Sequence, residues 1–126
     1  MYQSLIMAFC LIFTSQLFAN DLADQAAAAY ALRDFNEEGV RNAEKAADLY
    51  EQALSAESDI VMQRSIKVEL SSVLYFLGTA RSKKDDRKEA HQKAMDIAKT
   101  LLADLGINPD TAHELTDTQI ADILNN

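Results

Sequence analysis

Apolar residues recur at three- and four-residue steps through most of this chain, the spacing that gathers them on one face of an α-helix. Over residues 40–56 the stripe is Ala43, Ala46, Ala47, Tyr50, Ala53 and Leu54. Residues 60–80 form the most hydrophobic segment, with Ile66, Leu70, Val73, Leu74 and Leu77 in one stripe. Val61, Val68, Tyr75 and Phe76 extend that surface to a second side. A helix apolar on two sides belongs between neighbours, so the pattern predicts this one at the centre of the domain. Its β-branched residues raise a strand alternative for 66–76, but strict alternation fails across Val73-Leu74-Tyr75-Phe76-Leu77. A further helix over 86–105 is expected to bury Ala90, Ala94, Ile97, Ala98, Leu101 and Leu105. Upstream, residues 21–35 are rich in alanine, the strongest helix former. The run Ala26–Ala29 is small on every side and lets another helix approach closely.

The breaks between these stripes carry their own signals. Asn36-Glu37-Glu38-Gly39 reads as a turn, with Asn36 able to cap and Gly39 free of backbone restriction. Ser58 or Asp59 caps the third helix, and residues 81–89 are a solvated turn that leads into the fourth. Gly106 stops that helix in the left-handed conformation. Asn108-Pro109 opens a further helical turn, and Thr116-Asp117-Thr118-Gln119 matches a capping box before Ile120, Ile123 and Leu124.

The second and fourth helices are related to each other. Lys45-Ala46-Ala47-Asp48-Leu49-Tyr50 aligns with Lys93-Ala94-Met95-Asp96-Ile97-Ala98, and the same offset pairs Leu54 with Leu102 and Arg33 with Arg81. The expected fold is therefore all-α: two antiparallel helical hairpins stacked as a short repeat bundle, with a short C-terminal helix. The pattern Ala46-x-x-x-Tyr50-x-x-Ala53 resembles the second helix of a tetratricopeptide repeat, where small residues and an aromatic let two helices interlock. The segment Tyr30-Ala31-Leu32-Arg33-Asp34, followed by this hairpin, is similar to the TatT components associated with TRAP transporters. That resemblance implies an exported helical-repeat protein with a transporter component as partner and a small organic ligand. The spacing between units is longer than in tetratricopeptide repeats, and the first helices lack that family's tryptophan and leucine-glycine pair.

The N-terminus changes where such a domain is expected to work. Residues 5–13 are apolar and no charge precedes Asp21. The block matches a signal-peptide core and falls short of a membrane span of about 20 residues. Cleavage is expected after Ala19, giving a signal peptide over 1–19 and a helical repeat domain over 20–126. The absence of lysine and arginine from the start and the bulk of Leu17 depart from the usual pattern, so an uncleaved anchor or a core helix stays as the alternative. Phe9 speaks against a lipid-modified Cys10. The expected location is exported, periplasmic or secreted, with no membrane span after cleavage.

Composition narrows the chemistry. The chain has 20 acidic residues against 12 lysines and arginines, a formal charge of −8, which disfavours a nucleic-acid backbone partner. Its only cysteine is Cys10, so the mature chain would carry no thiol, no disulfide and no cysteine-ligated metal. His91 and His113 have no histidine or cysteine at helical metal-site spacing. The pairs Glu37-Glu38 and Asp85-Asp86 fall at helix starts, where negative charge offsets the dipole. Arg81-Ser82-Lys83-Lys84 is neutralised by Asp85-Asp86 and reads as a solvated turn. No glycine-rich phosphate loop, calcium loop or nucleophile elbow is present. The expectation is a non-catalytic scaffold without cofactor or metal, binding a protein or peptide partner through Tyr30, Arg33, Tyr75 and Arg81. Tyr30 and Tyr75 either line a groove or fill the core. The two arginines are chosen because the repeat places them at equivalent positions.

Overall fold

The computed structural model describes residues 18–108 together with Asp110 and Thr118. The body of the expected leader, His113 and, apart from Thr118, the expected C-terminal helix fall outside the described residues.

The described chain is all-α, with no strand among the described residues. Helix α1 covers 18–31, α2 Glu37–Ala56, α3 Ile60–Ala80 and α4 Lys84–Asp104. They pack as two hairpins, α1 with α2 and α3 with α4, and α3 also packs against α2. Side-chain meetings fix the directions. Phe18 at the start of α1 shares a surface with Ser55 and Ala56 at the end of α2. Arg81 after α3 reaches Glu44 early in α2 at 3.6 Å. Lys67 early in α3 meets Asp104 at the end of α4 at 3.2 Å. Each helix is thus antiparallel to the next. α1 runs unbroken through Ala19, which is buried, into the alanine-rich stretch.

The helix boundaries follow from local chemistry. Asn36 Oδ1 accepts the Gly39 backbone N–H at 2.7 Å, which caps α2, and Glu37 and Glu38 fall in its first turn. Asp59, the second of the two candidate caps, accepts from the Val61 N–H at 3.1 Å and starts α3. Replacing Asn36 with alanine is expected to cost about 1 kcal/mol, seen as a lowered urea midpoint at unchanged slope. α4 opens at Lys84 without a side-chain cap, with Asp85 and Asp86 in the first turn. At its end Gly106 has φ 76°, the Gly106 N–H donates to Ala103 O at 3.0 Å and the Ile107 N–H to Leu102 O at 2.8 Å. This pair of bonds is a Schellman reversal. α4 carries no basic residue in its last turn, and its terminal carbonyl accepts instead from Arg64 of α3, Nη2 to Asp104 O at 3.3 Å.

Gly39 differs from its expected role. It lies inside the first turn of α2 and is not among the positive-φ residues, of which Gly106 is the one described. Its function is to have no Cβ, because a Cβ there would run into the backbone of Asp34 in the α1–α2 loop.

The core is made by Leu22, Ala26 and Ala29 of α1, the Ala43–Ala53 stripe of α2 with Tyr50, the Ile66–Leu77 stripe of α3, and Ala90 and Ala94 of α4. Leu70, Leu77 and Val73 are the largest fully buried side chains. α3 is central, as its pattern predicts. Its second apolar side, however, is open: Val61, Val68 and Tyr75 are exposed and Phe76 is half-buried. Val61 and Val68 stand in solvent, whereas Tyr75 meets His91 of α4 and Phe76 meets Tyr30 of α1 at the edges of this side. The expectation for α4 is also corrected. Ala90 and Ala94 are buried, Ile97 and Leu101 are half-buried, and Ala98 and Leu105 are exposed. α4 has a long partner on one side only, so half of its apolar surface has nothing to pack on among the described residues. Among the described residues, no helix is long and apolar enough to cross a membrane.

Candidate functional site

The exposed sides of α3 and α4 and the end of α1 enclose an open groove of about 770 Å³. Ser71, Ser72 and Tyr75 come from α3, and His91, Ala94, Met95 and Ala98 from α4. Tyr30 closes it from α1. Helix periodicity explains the lining: 71, 72 and 75 lie on one side of α3, and 91, 94, 95 and 98 are linked by three- and four-residue spacings on one side of α4.

Tyr75 is 66 % exposed and Met95 55 % exposed, so two large adaptable side chains stand in solvent above a packed floor. The Tyr75 ring lies 5.4 Å from the His91 imidazole. His91 in turn rests on Gly78 of α3, where a Cβ would displace the imidazole. Gly78 thereby brings α4 close to α3 and fixes where His91 sits. Tyr30 is held more firmly. Its hydroxyl reaches the Ser72 carbonyl at 3.5 Å, and its ring meets Phe76 edge-on at 6.2 Å.

The four residues expected to bind a partner are divided by the fold. Tyr30 and Tyr75 share the groove. Arg33 stacks over the Tyr30 ring at 4.0 Å and stands 5.9 Å from the Phe76 ring. It also donates to the Tyr30 carbonyl at 3.1 Å, so it closes the end of α1 as well as edging the aromatic cluster. Arg81 lies elsewhere. It lines a second, more polar cleft with Phe35, Val40, Arg41, Glu44 and Asp86, and Glu44 pairs with it. The repeat relation puts both arginines just past a helix end, yet it does not bring them to one surface. Each hairpin has its own loop, so equivalent positions sit one repeat apart.

Sequence reasoning missed Ser71, Ser72, His91, Ala94, Met95 and Ala98 as lining residues. The internal repeat pointed the other way. Ala43, Ala46, Ala47 and Tyr50 align with His91, Ala94, Met95 and Ala98. In α2 those residues are all buried, and α2 packs against α3. The matching face of α4 forms the groove.

The polar chemistry here is sparse. Burial pushes the Tyr50 phenol up, with the charge of Glu69 and then of Tyr30 adding to the effect, so Tyr50 stays protonated as a core filler between helices. Among the described residues, no group of three or more histidines, cysteines or carboxylates is placed to hold a metal ion. The groove offers aromatic faces, a thioether, two hydroxyls and one imidazole. That set suits an apolar or aromatic side chain with a few hydrogen bonds. No protein-family model, curated protein or solved structure matches this chain.

Proposed function

We propose that this chain is a non-catalytic helical-repeat scaffold of the exported compartment, periplasmic or secreted, whose α3–α4 groove takes an apolar segment of a protein or peptide partner. One observation carries the proposal: Tyr75 and Met95 stand exposed on two helices whose opposite sides form the rigid core. Removing a largely exposed aromatic and methionine costs little stability, so their place on the outer side of packed helices fits recognition better than folding. The resemblance to tetratricopeptide repeats supports the same use of a helical groove.

The test is a selection of displayed random peptides on the full chain. Enriched peptides are expected to carry aromatic or aliphatic residues at helical spacing. Tyr75→Ala combined with Met95→Ala should weaken the selected peptides about tenfold or more, as loss of two central anchors does. The melting temperature should stay within a few degrees. No enrichment over an unrelated helical protein, or equal binding by the double variant, would overturn the proposal. Arg81→Ala should leave peptide binding unchanged, because Arg81 lines the other cleft.

A second function is an accessory role to a solute transporter, binding a small organic acid. The Arg33 guanidinium beside the Tyr30 ring favours it, since a cation on an aromatic face can receive a carboxylate. A thermal-shift screen of organic acids on wild type and Arg33→Ala separates the two: stabilisation confined to wild type supports it, and a flat screen rejects it. Export itself is tested by mass spectrometry of the protein from its native host. Cleavage after Ala19 would leave α1 starting at Asn20 with Asp21 in its first turn, where it complements the dipole. An intact leader would refute the cleaved form.

A further inference from the structure

Resting on the proposed use of the α3–α4 groove, we infer that its partner segment is acidic: the apolar anchors lie in the groove, and the carboxylates extend along α4 to Lys84, Arg87 and Lys88. The groove does not end at His91 and Met95. The same two residues also line an adjoining concavity of about 430 Å³, which Lys84, Arg87 and Lys88 edge. Residues 84, 87, 88, 91 and 95 are linked by three- and four-residue spacings. One stripe of α4 thus runs from cations through an imidazole to a thioether. An occupant that leaves the apolar groove toward the start of α4 passes over positive charge.

These charges are not balanced where they stand. Along the sequence Asp85 and Asp86 directly follow Lys84, but the helix turns them away from the stripe. Asp86 lines the cleft that holds Arg81, and Glu89 pairs with Lys93 at 3.4 Å. Among the described residues, no carboxylate lines the concavity. Arg87 is fixed in place, its Nη1 donating to the carbonyls of Arg81 at 3.0 Å and Ser82 at 2.9 Å. Lys84 and Lys88 are exposed and make no hydrogen bond or ion pair among the described residues. The arrangement works against the helix. Lys84 and Lys88 are like charges one turn apart, and Lys84 opens the first turn, where the dipole favours anions. The chain has 20 acidic residues against 12 basic ones. Three cations gathered beside its apolar groove are therefore explained by what they meet and not by folding.

The spacing defines the occupant further. From Met95 back to Lys88 is ~10 Å of helix, and back to Lys84 ~16 Å. An extended segment crosses those distances in about three to five residues. The partner is then a protein segment with aromatic or aliphatic anchors and, a few residues to one side of them, aspartate or glutamate.

The test repeats the displayed-peptide selection on the full chain at low salt. Aspartate and glutamate are expected in excess over the starting library, on one side of the apolar anchors. Synthetic copies of the enriched peptides should bind Lys84→Gln with Lys88→Gln about fivefold more weakly than wild type at ~20 mM salt, a difference that shrinks below about twofold at ~0.5 M, where exposed charges are screened. Selection on Lys84→Glu with Lys88→Glu should turn to lysine and arginine at the same places. Both variants should melt within a few degrees of wild type; a larger fall would assign the lysines to the fold and overturn the inference. Peptides with apolar anchors and no acidic excess overturn it while the groove function stands, and so does equal binding by Lys84→Gln with Lys88→Gln. Lysine-dependent binding to phosphatidylglycerol vesicles, without acidic peptides, also overturns it, since a lipid surface is then the occupant. No enrichment at all removes the groove function and this inference with it.

Discussion

Leu70→Lys is expected to unfold the domain outright. Leu70 is 2 % exposed at the centre of the α3 stripe. The substitution removes a core side chain, worth about 2–5 kcal/mol on its own. It then leaves an ammonium with no partner in an apolar interior, which adds several kcal/mol more. A small domain has about 5–15 kcal/mol in total, with the lower end typical of short chains. Leu74→Lys and Ala46→Lys act on the same interior, and alanine at 46 leaves no space for a longer side chain. The control is Val68→Lys. It makes the same chemical change on the same helix, at a residue that is 50 % exposed, and should melt within a few degrees of wild type. Far-UV circular dichroism during heating reads all four. If Leu70→Lys, Leu74→Lys and Ala46→Lys melted like wild type, the assignment of helix faces would be wrong.

The second large effect is at Gly39. Glycine to alanine inside a helix normally gains up to about 1 kcal/mol, so propensity alone predicts that Gly39→Ala stabilises α2. The structure reverses the sign. The new Cβ meets the Asp34 backbone, which no rotamer change can move aside. Relief requires shifting the α1–α2 loop, and with it the Asn42 Nδ2 donation to the Leu32 carbonyl, 3.2 Å long, and the Asn36 cap. A net loss of about 1–3 kcal/mol is expected from such overpacking. Gly78→Ala is the comparison. Its Cβ would meet the end of the His91 side chain, on an exposed face of α4, and the imidazole can swing outward. Propensity and packing then nearly cancel. Urea midpoints should fall clearly for Gly39→Ala and little for Gly78→Ala. Equal midpoints for the two would show that the α1–α2 loop yields as easily as a surface side chain.

The candidate site was partly readable beforehand. Tyr30 and Tyr75 are where a groove reading of the sequence needs them. Their neighbours were not, because Met95 and Ala98 fall on the apolar side of α4 and look like core by periodicity. Periodicity reports that a face is apolar, and says nothing about whether another helix arrives to cover it. The same blindness explains Val61 and Val68. Arg33 and Arg81 hold equivalent positions along the chain yet edge different surfaces, because each hairpin has its own loop.

Local chemistry alone determined the four helices, the Asn36 cap, the acidic first turns of α2 and α4, and the left-handed stop at Gly106. Each depends on residues within a turn or two, whose preferences act before any long-range contact forms. Tertiary structure decided the rest. It made Gly39 and Gly78 points of close approach and supplied Arg64 and Lys67 from α3 to the end of α4, which has no cation in its own last turn. It also chose which of two similar alanine-rich faces is buried, because α2, unlike α4, packs against two helices among the described residues.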